Sequence, residues 1–261
     1  MNSANESAEG GRIRWLERPG YDFPYYNGRP VGLTGMQWVR VLIAAAIGFL
    51  VLVSGPNLFK GTLAGFVRVA LYVAIPLLAL ALVSRGHWTA LFRKVGGRDV
   101  LLMVLFAILC LVVTLGVGSV LITITETTRN PAVSALIDQN LADVVLFYAR
   151  SVPQLLGEEL ITILPFLALI YLFAARLKTG RVTAIVLAWL LTGVHFALEH
   201  LPTYGGNLMQ ALGGVGAVRL VLTLPYIMTK NIWVSTGAHV LNDWYTFSIT
   251  LLGANLQNSS G

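Results

Sequence analysis

Charge is the first thing this sequence lacks. Asp, Glu, Lys and Arg make up 11% of its 261 residues, where a water-soluble domain averages about 25%. With 56% hydrophobic residues and a mean hydropathy of +0.73, a soluble globular chain and a disordered one are both excluded. Cysteine is nearly absent too. The single Cys110 lies in an apolar run, so the chain holds no internal disulfide and no cysteine cluster for a metal. A small residue packed between helices accounts for it. No repeat runs along the chain, which removes collagen-like and coiled-coil architectures and argues against a carrier built from two duplicated halves. The N-terminal stretch has none of the apolar core that a cleaved signal peptide needs.

What is present is a series of apolar runs near 39–55, 65–84, 99–123, 152–175, 182–200, 216–229 and 231–253. At about 1.5 Å per residue they span a bilayer or nearly so. They predict an all-α, polytopic transmembrane bundle. A further stretch, 139–150, is apolar but carries Asp143 and Arg150. It reads as an eighth span or as an amphipathic helix at the surface, so seven and eight spans both stand. The domain plan is a polar and aromatic tail over 1–38, a membrane domain over 39–253 and a C-terminal tail over 254–261. The run Tyr21 to Tyr26 suits an interfacial anchor and equally a disordered tail. The net charge of +6 comes from basic residues in short polar joints. Arg85, Arg93, Lys94 and Arg98 lie in one, and Arg176, Lys178 and Arg181 in another. Basic joints set membrane orientation and give no ground for a nucleic-acid partner. With seven spans, the N-terminal tail and both joints fall on the cytoplasmic side and the C-terminus outside.

Of the 12 Asp and Glu and 4 His residues, seven sit inside apolar runs. These are Glu158 and Glu159; His195, Glu199 and His200; His239 and Asp243. A carboxylate in mid-span costs about 2.5–3.5 kcal/mol on insertion scales. Four such groups must therefore face a shared polar cavity, and a cavity of that kind is a functional site by default. His239 and Asp243 share a helix face, as do His195 and Glu199. His195 and His200 are about 140° apart around the helix and cannot enter one site. Adjacent Glu158 and Glu159 diverge by about 100°. Ser151 to Gln154 carries a helix-start signal, a capping box with Pro153 in the first turn. Pro165 is expected to kink the helix just past the glutamates.

Two carboxylates and two histidines in a membrane cavity suit hydrolysis of a peptide bond. A buried Glu can act as base towards water, one His can orient that water or protonate a leaving amine, and another can stabilise an oxyanion. The chain has no Gly-x-Ser-x-Gly elbow and no His-Glu-x-x-His zinc helix. His195 to His200 is one residue too long for the inverted zinc motif. Zinc held by Glu158, His200 and His239 stays chemically open.

These residues resemble the CAAX-protease and bacteriocin-processing (CPBP, or Abi) intramembrane endopeptidases. That family shows E-E-x-x-x-R, F-x-x-x-H and H-x-x-x-N/D in order on separate helices. Here they read Glu158-Glu159, Phe196 to His200, and His239 to Asp243, within roughly 150–250. The resemblance implies that Glu158 activates water and His200 assists. It implies that His239 and Asp243 line the oxyanion site, with Glu159 in support and no cofactor required. It further implies a bacterial cell-membrane enzyme acting on a membrane-associated protein or peptide: a prenylated C-terminus, a leader or a signalling peptide. Oligomeric state is not implied. Two departures stand out. The family's Arg falls on Ile163, which leaves Glu159 to be protonated or to pair with a basic residue of another helix. Arg219 is the candidate, although its long side chain also suits a reach to the lipid headgroups. The third motif ends in Asp243 rather than Asn, and an ionised Asp cannot donate to an oxyanion; neighbouring Asn242 is expected to point away. The missing Arg leaves a second possibility, an inactive member that binds a peptide or confers bacteriocin immunity. A proton-coupled carrier is a third. His195 and Glu199 are expected to form a packing pair, Asn231 to cap the last helix, and the glycine-rich run 205–216 to form a loop or re-entrant segment.

Overall fold

The structure is a computed structural model, and it describes residues 11–58, 61–128, 130–134, 136–137 and 139–259. Residues 1–10 of the expected tail lie outside the described residues.

The apolar runs form seven long helices: α1 (Gly35–Leu58), α2 (Thr62–Val83), α3 (Gly97–Ile124), α4 (Leu141–Ile170), α5 (Arg181–Glu199), α6 (Ala217–Thr229) and α7 (Ile232–Ser259). Wider π-type turns extend α4 through Tyr171–Arg176 and lead into α6 through Gln210–Gly216. Six of these helices are long and apolar enough to cross a membrane. The seventh, α7, is as long, but His239, Asn242 and Asp243 lower its hydropathy. It also runs to Ser259, through most of the stretch expected to be a tail.

The described residues hold seven long helices, six of them apolar enough to span. Residues 141–176 form one continuous helix, so 139–150 is neither an eighth span nor a separate surface helix. The expected start at Ser151 is not used. Asn140 caps the helix instead, its side chain accepting from the Asp143 amide at 3.0 Å. Ser151 donates its hydroxyl back to the Tyr148 carbonyl, and Pro153 sits inside the helix. The glycine-rich run is not a loop throughout, because from Gln210 it is already helical.

Helix α4 is the axis. It packs against α1, α2, α5 and α7, while α3 packs against α6 and α7. Between Glu159 and Ile170 nearly every α4 side chain is buried, as expected of a helix apolar on all sides. Two glycines permit the closest approaches. A Cβ on Gly157 would overlap the Tyr72 ring of α2, and one on Gly193 would meet Leu220 of α6 at 2.6 Å. Cys110 is fully buried near Leu222 and Ala238, in the packing role expected.

The described part of the N-terminal segment is not a disordered tail. Residues 11–34 fold over one end of the bundle, and Phe23 and Tyr25 are 1% and 0% exposed. Phe23 packs edge-on to Phe166 of α4 and against Tyr226 of α6. Tyr25 donates its hydroxyl to the His87 carbonyl. Fully buried Glu17 accepts from Arg181 and from Lys230, each at 2.6 Å. Arg181 also reaches Asp22, and Arg18 pairs with Asp99. Arg93 donates to Asn231 and to the Lys230 carbonyl, and Asn231 caps α7 by accepting from Trp233. The basic joints therefore gather at one end of the molecule, as seven alternating helices require.

Candidate active site

The three motif-bearing helices meet at a cavity of about 350 Å³. Glu158 of α4, His200 at the end of α5, and His239 and Asp243 of α7 all line it. Its walls include Thr114, Gly118 and Leu121 of α3. Thr127, Thr128 and Tyr204 from the joints opposite the basic end also line it, so the cavity reaches towards that end.

Glu158 stands about 26 Å along α4, seventeen residues from its start at about 1.5 Å each. Its side chain is 12% exposed, and its Oε1 accepts from Gln154 at 3.2 Å. Glu159 turns the other way and is fully buried. The separation of the adjacent glutamates is as the helical spacing predicts.

His239 joins the two. Its Nδ1 lies 3.0 Å from Glu159 Oε1, and a carboxylate there can only accept, so Nδ1 carries the proton. Its Nε2 looks into the cavity between Glu158 Oε2 at 3.8 Å and Asp243 Oδ1 at 3.7 Å. His200 Nδ1 is likewise held, 2.9 Å from the Phe196 carbonyl. The neutral ring thus keeps an Nε2 lone pair. The His200 ring also stacks on Phe196 with centroids 4.4 Å apart.

Arg219 corrects one sequence expectation and fulfils another. It does not reach the headgroups; it is fully buried. Its Nη1 donates to Glu159 Oε1 at 2.6 Å, its Nε to Thr223 at 3.3 Å, and its guanidinium lies 5.0 Å over the Phe196 ring. The cation missing at position 163 is supplied from α6, while Ile163 is fully buried in the apolar core. A snorkelling side chain would need a polar surface nearby, and position 219 offers a buried carboxylate instead.

Asn242 is the second correction. It lines the cavity and donates to Asp243 Oδ1 at 3.0 Å. An angle of about 100° between neighbours on a helix does not stop one amide reaching the next carboxylate. Sequence reasoning missed Gln154, which donates to Glu158, and Tyr204, which lines the cavity. The i,i+4 spacing of Gln154 from Glu158 was the available signal for the first; Tyr204 had none.

His195 and Glu199 pair at 3.5 Å and face a different cavity of about 560 Å³ between α1, α4 and α5. The exclusion of His195 from the His200 site therefore holds. Among the described residues, no three His, Cys, Asp or Glu side chains converge as metal ligands would.

Residues 140–245 match a family model described as type II CAAX prenyl endopeptidase Rce1-like. The matched segment begins at the α4 cap and ends just past Asp243, so it holds all three motifs. The match is consistent with the CPBP family, and it marks this part of the chain as similar to a CAAX-type intramembrane protease. No curated protein and no solved structure matches the chain.

Proposed function

We propose that the chain is an intramembrane endopeptidase in which Glu158 activates water to cleave a peptide bond of a membrane-associated protein or peptide. One observation carries this. Glu158, His200, His239 and Asp243, drawn from three helices, open on one cavity, and the second glutamate is withdrawn from it into an ion pair.

A water between Glu158 and His200 gives its proton to the Glu158 carboxylate as its oxygen bonds to the scissile carbonyl carbon. His239, with Nδ1–H spent on Glu159, offers Nε2–H to the oxyanion when both ring nitrogens are protonated. Asp243 and Asn242 flank that nitrogen and hold its orientation. On collapse the C–N bond breaks and the proton on Glu158 passes to the leaving amine, directly or through His200. Glu159 stays ionised against Arg219 and does not compete for the water's proton. A chain lacking this pair would favour the inactive, peptide-binding alternative. Arg219 supplies that pair and so supports the active reading.

The basic end is assigned to the cytoplasm, so the cavity faces the opposite side of a cell membrane, with a bilayer and a peptide as partners. No metal is assigned a step. The test is N-terminal peptidomics on host membranes, comparing wild type with Glu158→Gln at matched expression. New peptide ends that vanish in the variant support proteolysis. Identical peptidomes overturn it. Cleavage is expected to persist in chelator, and loss restored by zinc would overturn the assignment of the base.

A further inference from the structure

Two arginines in the spanning helices take no part in the site. Arg68 lies on α2 and Arg150 on α4. The helices run parallel and pack side by side. Arg150 lies across Gly65, where a Cβ would come within 2.7 Å of its Nη1. Gly65 and Arg68 are three apart on one face of α2, so Arg68 stands one helical turn from the position that Arg150 covers.

Two adjacent cations in a low-polarity setting call for an anion. Among the described residues, no carboxylate pairs with either arginine. The nearest carboxylates on α4 are engaged, Asp143 with the Asn140 cap and Glu158 with Gln154. Arg68 Nε is buried without a hydrogen-bond partner, and among the described residues no ion pair involves either arginine. The surroundings say what kind of anion fits. Leu63, Val67 and Leu71 of α2 and Leu146 and Val152 of α4 are exposed, a surface suited to acyl chains. The site lies eight residues, about 12 Å, above Glu158 along α4, towards the end opposite the basic joints. Paired guanidinium groups match phosphate oxygens with forked hydrogen bonds, and basic pockets between spanning helices hold lipid headgroups.

We propose that Arg68 and Arg150 bind the phosphate group of an anionic phospholipid, clasped between α2 and α4.

The test uses the full chain purified in neutral detergent. Its thermal midpoint is followed against phosphatidylglycerol, phosphatidylcholine, inorganic phosphate and an amidated or free-carboxylate peptide. Phosphatidylglycerol is expected to raise the midpoint saturably. The apparent affinity should fall at least tenfold in Arg68→Gln/Arg150→Gln and less in Arg150→Lys, which keeps the charge but loses the fork. Native mass spectrometry of the wild type should show one phosphatidylglycerol retained, which covers the case in which the double variant does not fold. An equal effect of phosphatidylcholine, or an undiminished shift in the double variant, overturns the site. A full shift with inorganic phosphate alone, or with the free-carboxylate peptide but not the lipid, overturns the lipid as its occupant.

Discussion

Arg219 ties together three groups around the site. It neutralises Glu159, bonds Thr223 and stacks on Phe196. Removing one partner of a buried pair costs about 3–5 kcal/mol because the other charge is left uncompensated. Arg219→Met is therefore expected to lower the thermal midpoint sharply, and Arg219→Lys less, as read by unfolding in detergent. Glu158→Gln should do the reverse. Its amide oxygen can still accept from Gln154, so stability should hold, while cleavage falls by about 10²–10⁴, the usual share of a general base. Equal destabilisation by both would refute the division of labour between the glutamates. The five motif residues were legible in the sequence because charge inside an apolar run is costly and therefore conspicuous. Arg219 was only half legible. Its presence in a span was visible, but whether a long cation turns outward or inward depends on what the facing helix presents. Asn242 was not legible, since spacing alone does not say how far a side chain bends towards its neighbour.

Helices were legible in number and in rough extent, since a run of apolar residues fixes a span with little help from tertiary contacts. Their ends were not. The start signal at Ser151 is a local one, and a local signal yields when the chain upstream is itself helical and better capped, as at Asn140. Arg150, a charge within the stretch read as a separate helix, lies over Gly65 of α2. Close packing sets the position of α4 against α2, and Gly157 is where it is tightest. Gly157→Ala would drive a methyl group into the Tyr72 ring, and overpacking of this kind costs about 1–3 kcal/mol. A lowered midpoint with cleavage also reduced is expected, because Glu158 is the next residue. A silent substitution would mean that α2 and α4 separate freely.

Over the whole molecule, the N-terminal segment is what the sequence concealed most. Its residues 11–34 lack regular structure and have no hydrophobic period, yet they close one end of the bundle by aromatic contacts and charge pairing. Burial alone would push the Glu17 carboxyl up, but hydrogen bonds from Arg181 and Lys230 outweigh it and hold it at about 2, against an ordinary 4.5. A pKa lowered on folding stabilises above the ordinary value and is lost as pH falls through the folded one. Stability should therefore hold above about pH 4.5 and decline towards pH 2. Glu17→Gln, which leaves Lys230 buried without its counter-ion, should be less stable at neutral pH and should flatten that decline. An unchanged acid profile would refute the role of Glu17. In the middle of the bundle, α4, α6 and α7 are riveted at one point, where Glu159 takes hydrogen bonds from Arg219 and His239. Three helices joined at a point deep in the bundle cannot slide past one another. Helix α3 forms a wall of the same cavity. It continues into residues 125–128, which are tied to the facing joint by side chains of Asn207 and Gln210. Widening the cavity on this side would first break four hydrogen bonds made by two amide side chains, so the width of its mouth rests on Asn207 and Gln210.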